Sequence, residues 1–179
     1  MLLRSFRPED VAVLFELVHK NRQHLRPWLN WVDATTKPEH CLQFIEDAQL
    51  RQYAQEGVDL GLWWKEELVG AVGMYGWDHG LRKATVGYWI AENCAGKGLV
   101  KAAVSRFLDF LFQKLNLNKV EILFVSHNRR SAALAEKLGA RVEGVLRDSY
   151  LLNGQLCDLV ITGILSREWS QTNRPSAGI

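Results

Sequence analysis

The stretch ATVGYWIAENCAGKG, residues 84–98, decides the fold. Its first half, Ala84–Ile90, has the β-branched and aromatic density of a strand. Its second half is a glycine-containing loop that runs into a helical pattern. Val100, Val104, Phe107, Leu108, Leu111 and Leu115 recur three and four apart, which predicts a helix over Gly98–Leu115 with one apolar face. Strand, glycine loop and helix in that order leave several backbone N–H groups unpaired at the positive end of a helix dipole. Such an end seats a phosphate or diphosphate. Gly96 and Gly98 allow close backbone approach, and Lys97 adds charge. The spacing matches neither the nucleoside-triphosphate loop G-x-x-x-x-G-K-[ST] nor the dinucleotide fingerprint G-x-G-x-x-G. Taken alone, the loop leaves two readings open, an anion site or merely a tight connection.

Working outward from it, Leu2–Phe6 reads as a strand, and Pro8 opens a helix whose stripe is Val11, Leu14, Phe15 and Val18. His24–Thr35 is irregular and carries Trp28 and Trp31. Thr36 and Glu39 have capping-box spacing around Pro38, predicting a second helix that reaches about Gln55 and stops at Gly57. Leu60–Trp64 and Leu68–Tyr75 read as strands; the adjacent Trp63 and Trp64 must face opposite sides. Beyond the central helix, the apolar run Val120–Val125 reads as a strand buried on both faces. Arg129–Leu138 is a shorter helix stopped by Gly139, and Asn153-Gly154 joins Val142–Leu152 to Leu156–Leu165 as a hairpin. The order β-α-α-β-β-β-α-β-α-β-β shows no repeat and no linker. It predicts one domain over residues 1–170 and a frayed, small and polar tail over 171–179.

At 179 residues the chain is long enough to bury a core, and 47% apolar against 23% charged residues excludes a disordered chain. A net charge of +2 gives no electrostatic case for nucleic acid or an acidic membrane. Cys41, Cys94 and Cys157 are scattered and odd in number. With no secretory signal and no apolar run of membrane-span length, they point to a cytoplasmic protein with reduced thiols. The histidines lack H-x-x-x-H or Cys/His spacing, so no metal is expected, and no G-x-S-x-G elbow supports a hydrolase. Cys94 lies beside the loop, where filler is the more common role and attack by an amine needs no acyl-enzyme.

Four stretches in register carry a family resemblance. Val86-Gly87-Tyr88-Trp89-Ile90 with Ala95-Gly96-Lys97-Gly98-Leu99-Val100 resembles the acetyl-CoA motif of the GNAT N-acetyltransferase superfamily. Residues 128–139, NRRSAALAEKLG, resemble its next helix. Glu143–Arg147 and Leu152–Gly154 resemble its RimJ/RimL-like branch, which acetylates alanine or serine of ribosomal proteins. The chain departs from the usual pattern at Ala95, where Gln or Arg is common, and at Val100, where a small residue is common.

That resemblance implies an α/β (α+β) fold, a mixed, mostly antiparallel seven-stranded sheet with helices on both faces. It implies acetyl-CoA as co-substrate and an amine as acceptor, with relatives that often form homodimers. Trp89, Ile90 and Ala91 would line the pantetheine arm, and Gly96, Lys97, Gly98, Leu99 and Val100 would take the diphosphate. Asn128 would touch the cofactor and also cap its helix. A tyrosine that many relatives use as acid falls at Ala135, but RimL-like members carry a serine one turn earlier, matched here by Ser131, so the resemblance implies Ser131 as proton donor; Ser131 bonding only to local backbone is the plainer alternative. A glutamate found in some relatives falls at Tyr150, so Glu92, Asp78, His79 and Asp158 remain as bases with none preferred. Trp28 and Trp31 would border the acceptor, or lie under the second helix. The acceptor is read as a protein N-terminus. A small amine such as a polyamine is the alternative, and an acyl-CoA sensor without turnover is the non-enzymatic rival.

Overall fold

The computed structural model describes residues 1–172. Seven strands form one sheet: β1 (Leu2–Ser5), β2 (Val58–Trp64), β3 (Glu67–Asp78), β4 (Lys83–Ile90), β5 (Lys119–Val125), β6 (Arg141–Leu152) and β7 (Gln155–Leu165). Their spatial order is β1-β2-β3-β4-β5-β7-β6. Every neighbouring pair is antiparallel except β4 and β5, which run parallel. The mixed, mostly antiparallel sheet is therefore as expected.

Two packed layers cover its faces. On one, α1 (Val11–Lys20) and α4 (Pro38–Tyr53) bury Leu14, Val18, Cys41 and Ile45 against Phe6 and Leu68, with Trp63 and Trp89 packed alongside. On the other, α5 (Leu99–Gln113) buries Val104, Phe107, Leu108 and Leu111 against Val72, Val86, Val120 and Ile122. Those four α5 residues are at most 1% exposed, so the stripe that its spacing predicted is the centre of the larger core. Helix α6 (Arg129–Lys137) adds Ala135 to the same core.

Several details differ from the expectations. Two short helices, α2 (Arg22–Leu25) and α3 (Trp31–Ala34), occupy the segment read as irregular. Thr36 does not cap α4; the N-cap is Lys37, extended at φ −148 and ψ 158 with no side-chain bond. Pro38 forces the residue before it out of helical conformation, so the start slips by one and Glu39 no longer sits at the reciprocal position. Strand β5 is not buried on both faces: Val120, Ile122 and Phe124 are buried, whereas Lys119, Glu121 and Leu123 are half-buried. The predicted tail begins inside α7 (Ser166–Thr172), which buries Trp169 with its indole N–H donated to Asp109 at 2.8 Å. The rest of that tail, residues 173–179, lies outside the described residues.

A cleft at the parting of two strands

Strands β4 and β5 pair only at Lys83–Lys119, Ala84–Val120 and Thr85–Glu121. Charges tie that closed end: Lys83 Nζ lies 3.2 Å and Lys119 Nζ 3.0 Å from Glu121 Oε1, and Lys119 also reaches Glu143. Beyond Thr85 the strands part and leave a cleft of about 820 Å³, large enough for a cofactor-sized ligand.

One wall is the exposed main chain of β4. Ala91 donates its N–H to Val69 C=O at 2.8 Å. Antiparallel pairing alternates, so Trp89, opposite Ala71, also turns its backbone groups towards β3. Tyr88 and Ile90 turn theirs the other way, into the gap that β5 has left. Of the three residues expected along the arm, Ile90 therefore offers backbone polar groups there. Trp89 lines the cleft but turns its backbone groups to β3 and packs its side chain against the α1 and α4 layer, and Ala91, 1% exposed, does not line the cleft. Tyr88 also lines the cleft and is not singled out by the sequence reading, although the alternation of the strand places it beside Ile90 on one face.

The mouth is the 91–98 loop. Gly96 and Gly98 both have φ +75, and a Cβ added at either would meet nothing within 4 Å. Gly98 is the N-cap of α5 and no side chain caps it. Among the described residues, no acceptor bonds the N–H groups of residues 96–98. With those of Leu99 and Val100 in the first turn, they lie at the helix's positive end. Gly96, Gly98, Leu99 and Val100 line the cleft; Lys97 is exposed and does not.

The far wall is α6. Asn128 caps it, its Oδ1 accepting the Ser131 N–H at 3.1 Å. Ser131 Oγ does not turn back to the helix: it lies 2.8 Å from Tyr88 Oη, so the two hydroxyls bridge the parted strands' opposite walls. Burial pushes the Tyr88 phenol pKa up, and the serine bond works against that. Ala135 is 1% exposed in the core and faces away from the cleft.

Trp28 lines the cleft and its ring lies 5.6 Å from that of His127. Trp31 does not line it; Trp31 packs edge-on against Trp89 at 5.9 Å and supports that wall from behind. Tyr75 and Tyr150 complete the end away from the glycine loop. Tyr75's pKa is raised by desolvation and by the neighbouring Tyr150. Of the possible bases only Glu92 lines the cleft. Asp78 accepts the Leu81 N–H at 2.8 Å, Asp158 accepts the Asp148 N–H at 3.0 Å, and a His79 ring nitrogen lies 2.8 Å from Gln55 C=O. Among the described residues no three His, Cys, Asp or Glu side chains gather into a metal-binding group.

Residues 1–141 match the family model described as "Acetyltransferase (GNAT) domain". The chain is 35% identical to the putative ribosomal N-acetyltransferase YdaF of Bacillus subtilis, over 93% of this chain and 92% of that one. It is 29% identical to spermidine N(1)-acetyltransferase of Vibrio cholerae, over 94% and 95%. Mycobacterium smegmatis RimJ, solved in complex with a CoA-disulfide, superposes with a TM-score of 0.87 at 25% identity, covering 93% of this chain and 82% of that chain.

Proposed function

Because the chain belongs to the GNAT acetyltransferase family, we propose that it transfers acetyl from acetyl-CoA to the α-amine of a protein N-terminus, with Ser131 as proton donor. The observation that carries this reading is the Ser131 hydroxyl standing across the β4–β5 gap from the open β4 backbone, in the same cleft as the Gly96–Gly98 loop. Bare amides at the start of α5 fit a diphosphate, and the gap fits an extended amide-bearing arm. Acetyl-CoA supplies an activated thioester carbonyl whose sulfur leaves as a thiolate. The Ile90 N–H, facing the gap, meets negative charge developing on the carbonyl oxygen. Gly96, Gly98, Leu99 and Val100 hold the diphosphate by main-chain N–H groups. Asn128 fixes the first turn of α6, and so holds Ser131 in place.

The acceptor follows from what the cleft does not offer. Among the described residues, its one lining carboxylate is Glu92, and His24, Lys101, Arg130 and Lys137 also line it. A polyamine carries several charges that seek carboxylates, and each amine must lose a proton that it holds tightly. An α-amine with pKa near 8 is roughly a quarter neutral at pH ~7.5, whereas a lysine amine is about 0.1% neutral. An α-amine therefore needs water and a weak acceptor rather than a strong base. Likeness to a spermidine acetyltransferase keeps a small polyamine as the second reading.

Thiol release from acetyl-CoA tests both. Peptides with a small first residue should turn over fastest, with spermidine and lysine far behind; turnover with spermidine alone would overturn the acceptor. Ser131→Ala should lower kcat by roughly 10²-fold, the range for one acid group, with acetyl-CoA affinity changed less than about threefold.

A further inference from the structure

Serine is a poor acid to set against a departing thiolate. It has one proton, and giving it up alone would leave an alkoxide far more basic than the sulfur it protonates. In Ser131 that proton has two places to point, towards Tyr88 or towards the gap. Each hydroxyl has the other as its hydrogen-bond partner, at 2.8 Å; among the described residues neither bonds to a further side chain. A phenol, with an ordinary pKa near 10, is much closer to a thiol's 8.5 than any aliphatic alcohol is. A phenol is protonated at neutral pH; burial raises Tyr88 above its ordinary value and the Ser131 bond works against that, yet it stays far more acidic than serine, so it is the natural donor of the pair.

We propose that Tyr88 is the proton source behind Ser131: it donates its O–H to Ser131 Oγ, thereby aiming the serine proton into the gap, and replaces that proton as it leaves. The proposal rests on the assignment of Ser131 above and deepens it. As the carbon–sulfur bond breaks, the Ser131 proton forms the new S–H bond and the Tyr88 proton crosses to Ser131 Oγ. The serine hydroxyl is restored and now donates to the phenolate. Solvent, which has taken the proton released by the acceptor nitrogen, reprotonates Tyr88. Tyr88 acts through Ser131 and is a positioning residue. It explains how the site does without a tyrosine at the buried Ala135: the phenol reaches the sulfur from β4, by way of the serine.

Tyr88→Phe keeps the ring and removes only the hydroxyl. It should lower kcat by about 10- to 100-fold while KM for acetyl-CoA stays within about twofold. The double variant Tyr88→Phe/Ser131→Ala should fall no more than about threefold below the slower single variant, because the two hydroxyls act as one unit. A readout without turnover accompanies this. The wild-type minus Tyr88→Phe difference in tyrosinate absorbance, followed against pH in the free protein, isolates Tyr88 among the four tyrosines. With Ser131→Ala as background, that titration should move to higher pH, since the serine bond stabilises the phenolate. Calorimetry with coenzyme A checks that each variant keeps its cleft. Full-speed Tyr88→Phe alongside slow Ser131→Ala overturns the relay alone. Full speed in both overturns the Ser131 assignment with it. Multiplying effects in the double variant, or a Tyr88 titration indifferent to Ser131, also overturns the relay.

Discussion

The two ends of the cleft are built differently. The end at β4, the glycine loop and α5 is made of main chain, fixed by local geometry: φ +75 at two glycines, an uncapped helix start, and a strand whose partner has turned away. Behind it lies the larger core, centred on Phe107, Leu108 and Leu111. The end lined by Trp28, Tyr75 and Tyr150 is made of side chains brought together from α2–α3, β3 and β6. Long-range polar contacts hold it, notably Asn30 and Arg26 against the β6–β7 turn. A backbone site suits a ligand that does not vary, whereas a side-chain site can change with its acceptor at little cost to the fold.

The sharpest way to break this contrast is at Gly98. A side chain at φ +75 costs about 1–2 kcal/mol, more when β-branched, and the new Cβ projects into the space where a diphosphate would lie. Gly98→Val should weaken coenzyme A binding by roughly 10- to 100-fold, measured by calorimetry, while α5, held by its apolar face, keeps the melting temperature within about 10 °C. Unchanged affinity would mean that the loop is only a connection.

The same contrast explains what could be read from sequence. The glycine loop, the α5 stripe and the Asn153-Gly154 turn were legible because each is a local requirement on neighbouring residues; the turn's φ values of 50 and 79 demand those residue types. Ser131 is singled out only through family resemblance, and its contact with Tyr88 is not readable from sequence, because 43 residues separate two hydroxyls that meet only where β4 and β5 part. For Trp31 the sequence leaves a place beside the acceptor and burial under the second helix equally open, because loop position does not say which way an aromatic turns; its ring lies edge-on to Trp89 and stays partly exposed. Helix α7 went unread because its apolar anchor is Trp169 alone, with no stripe to repeat.

A smaller effect tests the layer formed by α1 and α4. Arg4 on β1 makes two bonds to Asp10, at 2.6 and 2.8 Å, and Asp10 also accepts the Arg7 N–H at 2.9 Å, fixing the entry to α1. The Arg4 bond above all holds the Asp10 carboxyl below its usual range even though burial opposes it. A carboxyl whose folded pKa is depressed adds stability that is full above its unfolded pKa and disappears as pH falls through the folded one. Asp10→Asn should therefore cost about 1–2 kcal/mol in urea unfolding at pH 7. The gap to wild type should narrow only below the ordinary aspartate range, near pH ~4. A gap independent of pH would show that shape rather than charge matters there.

The smallest effect concerns the tie between Asn30 and the β6–β7 turn. Asn30 Nδ2 donates to Leu151 C=O at 2.6 Å, its Oδ1 accepts the Asn153 N–H at 3.4 Å, and Asn153 Nδ2 donates to Arg26 C=O at 2.9 Å. These bonds span the sequence from residue 26 to 153 and hold the Trp28 segment against the strand that carries Tyr150. They are exposed, so each contributes at most about 1 kcal/mol. Asn30→Ala removes two of them. Asn153→Gly removes the third without strain, because glycine accepts the residue's φ of +50. Each should raise KM for a peptide acceptor by about two- to fivefold and leave coenzyme A affinity unchanged. The double variant should be little worse than either single one, because one segment is released once. If coenzyme A affinity moved and the peptide KM did not, the two ends of the cleft would not be separable, and the division between a backbone-built cofactor seat and a side-chain-built acceptor seat would be wrong.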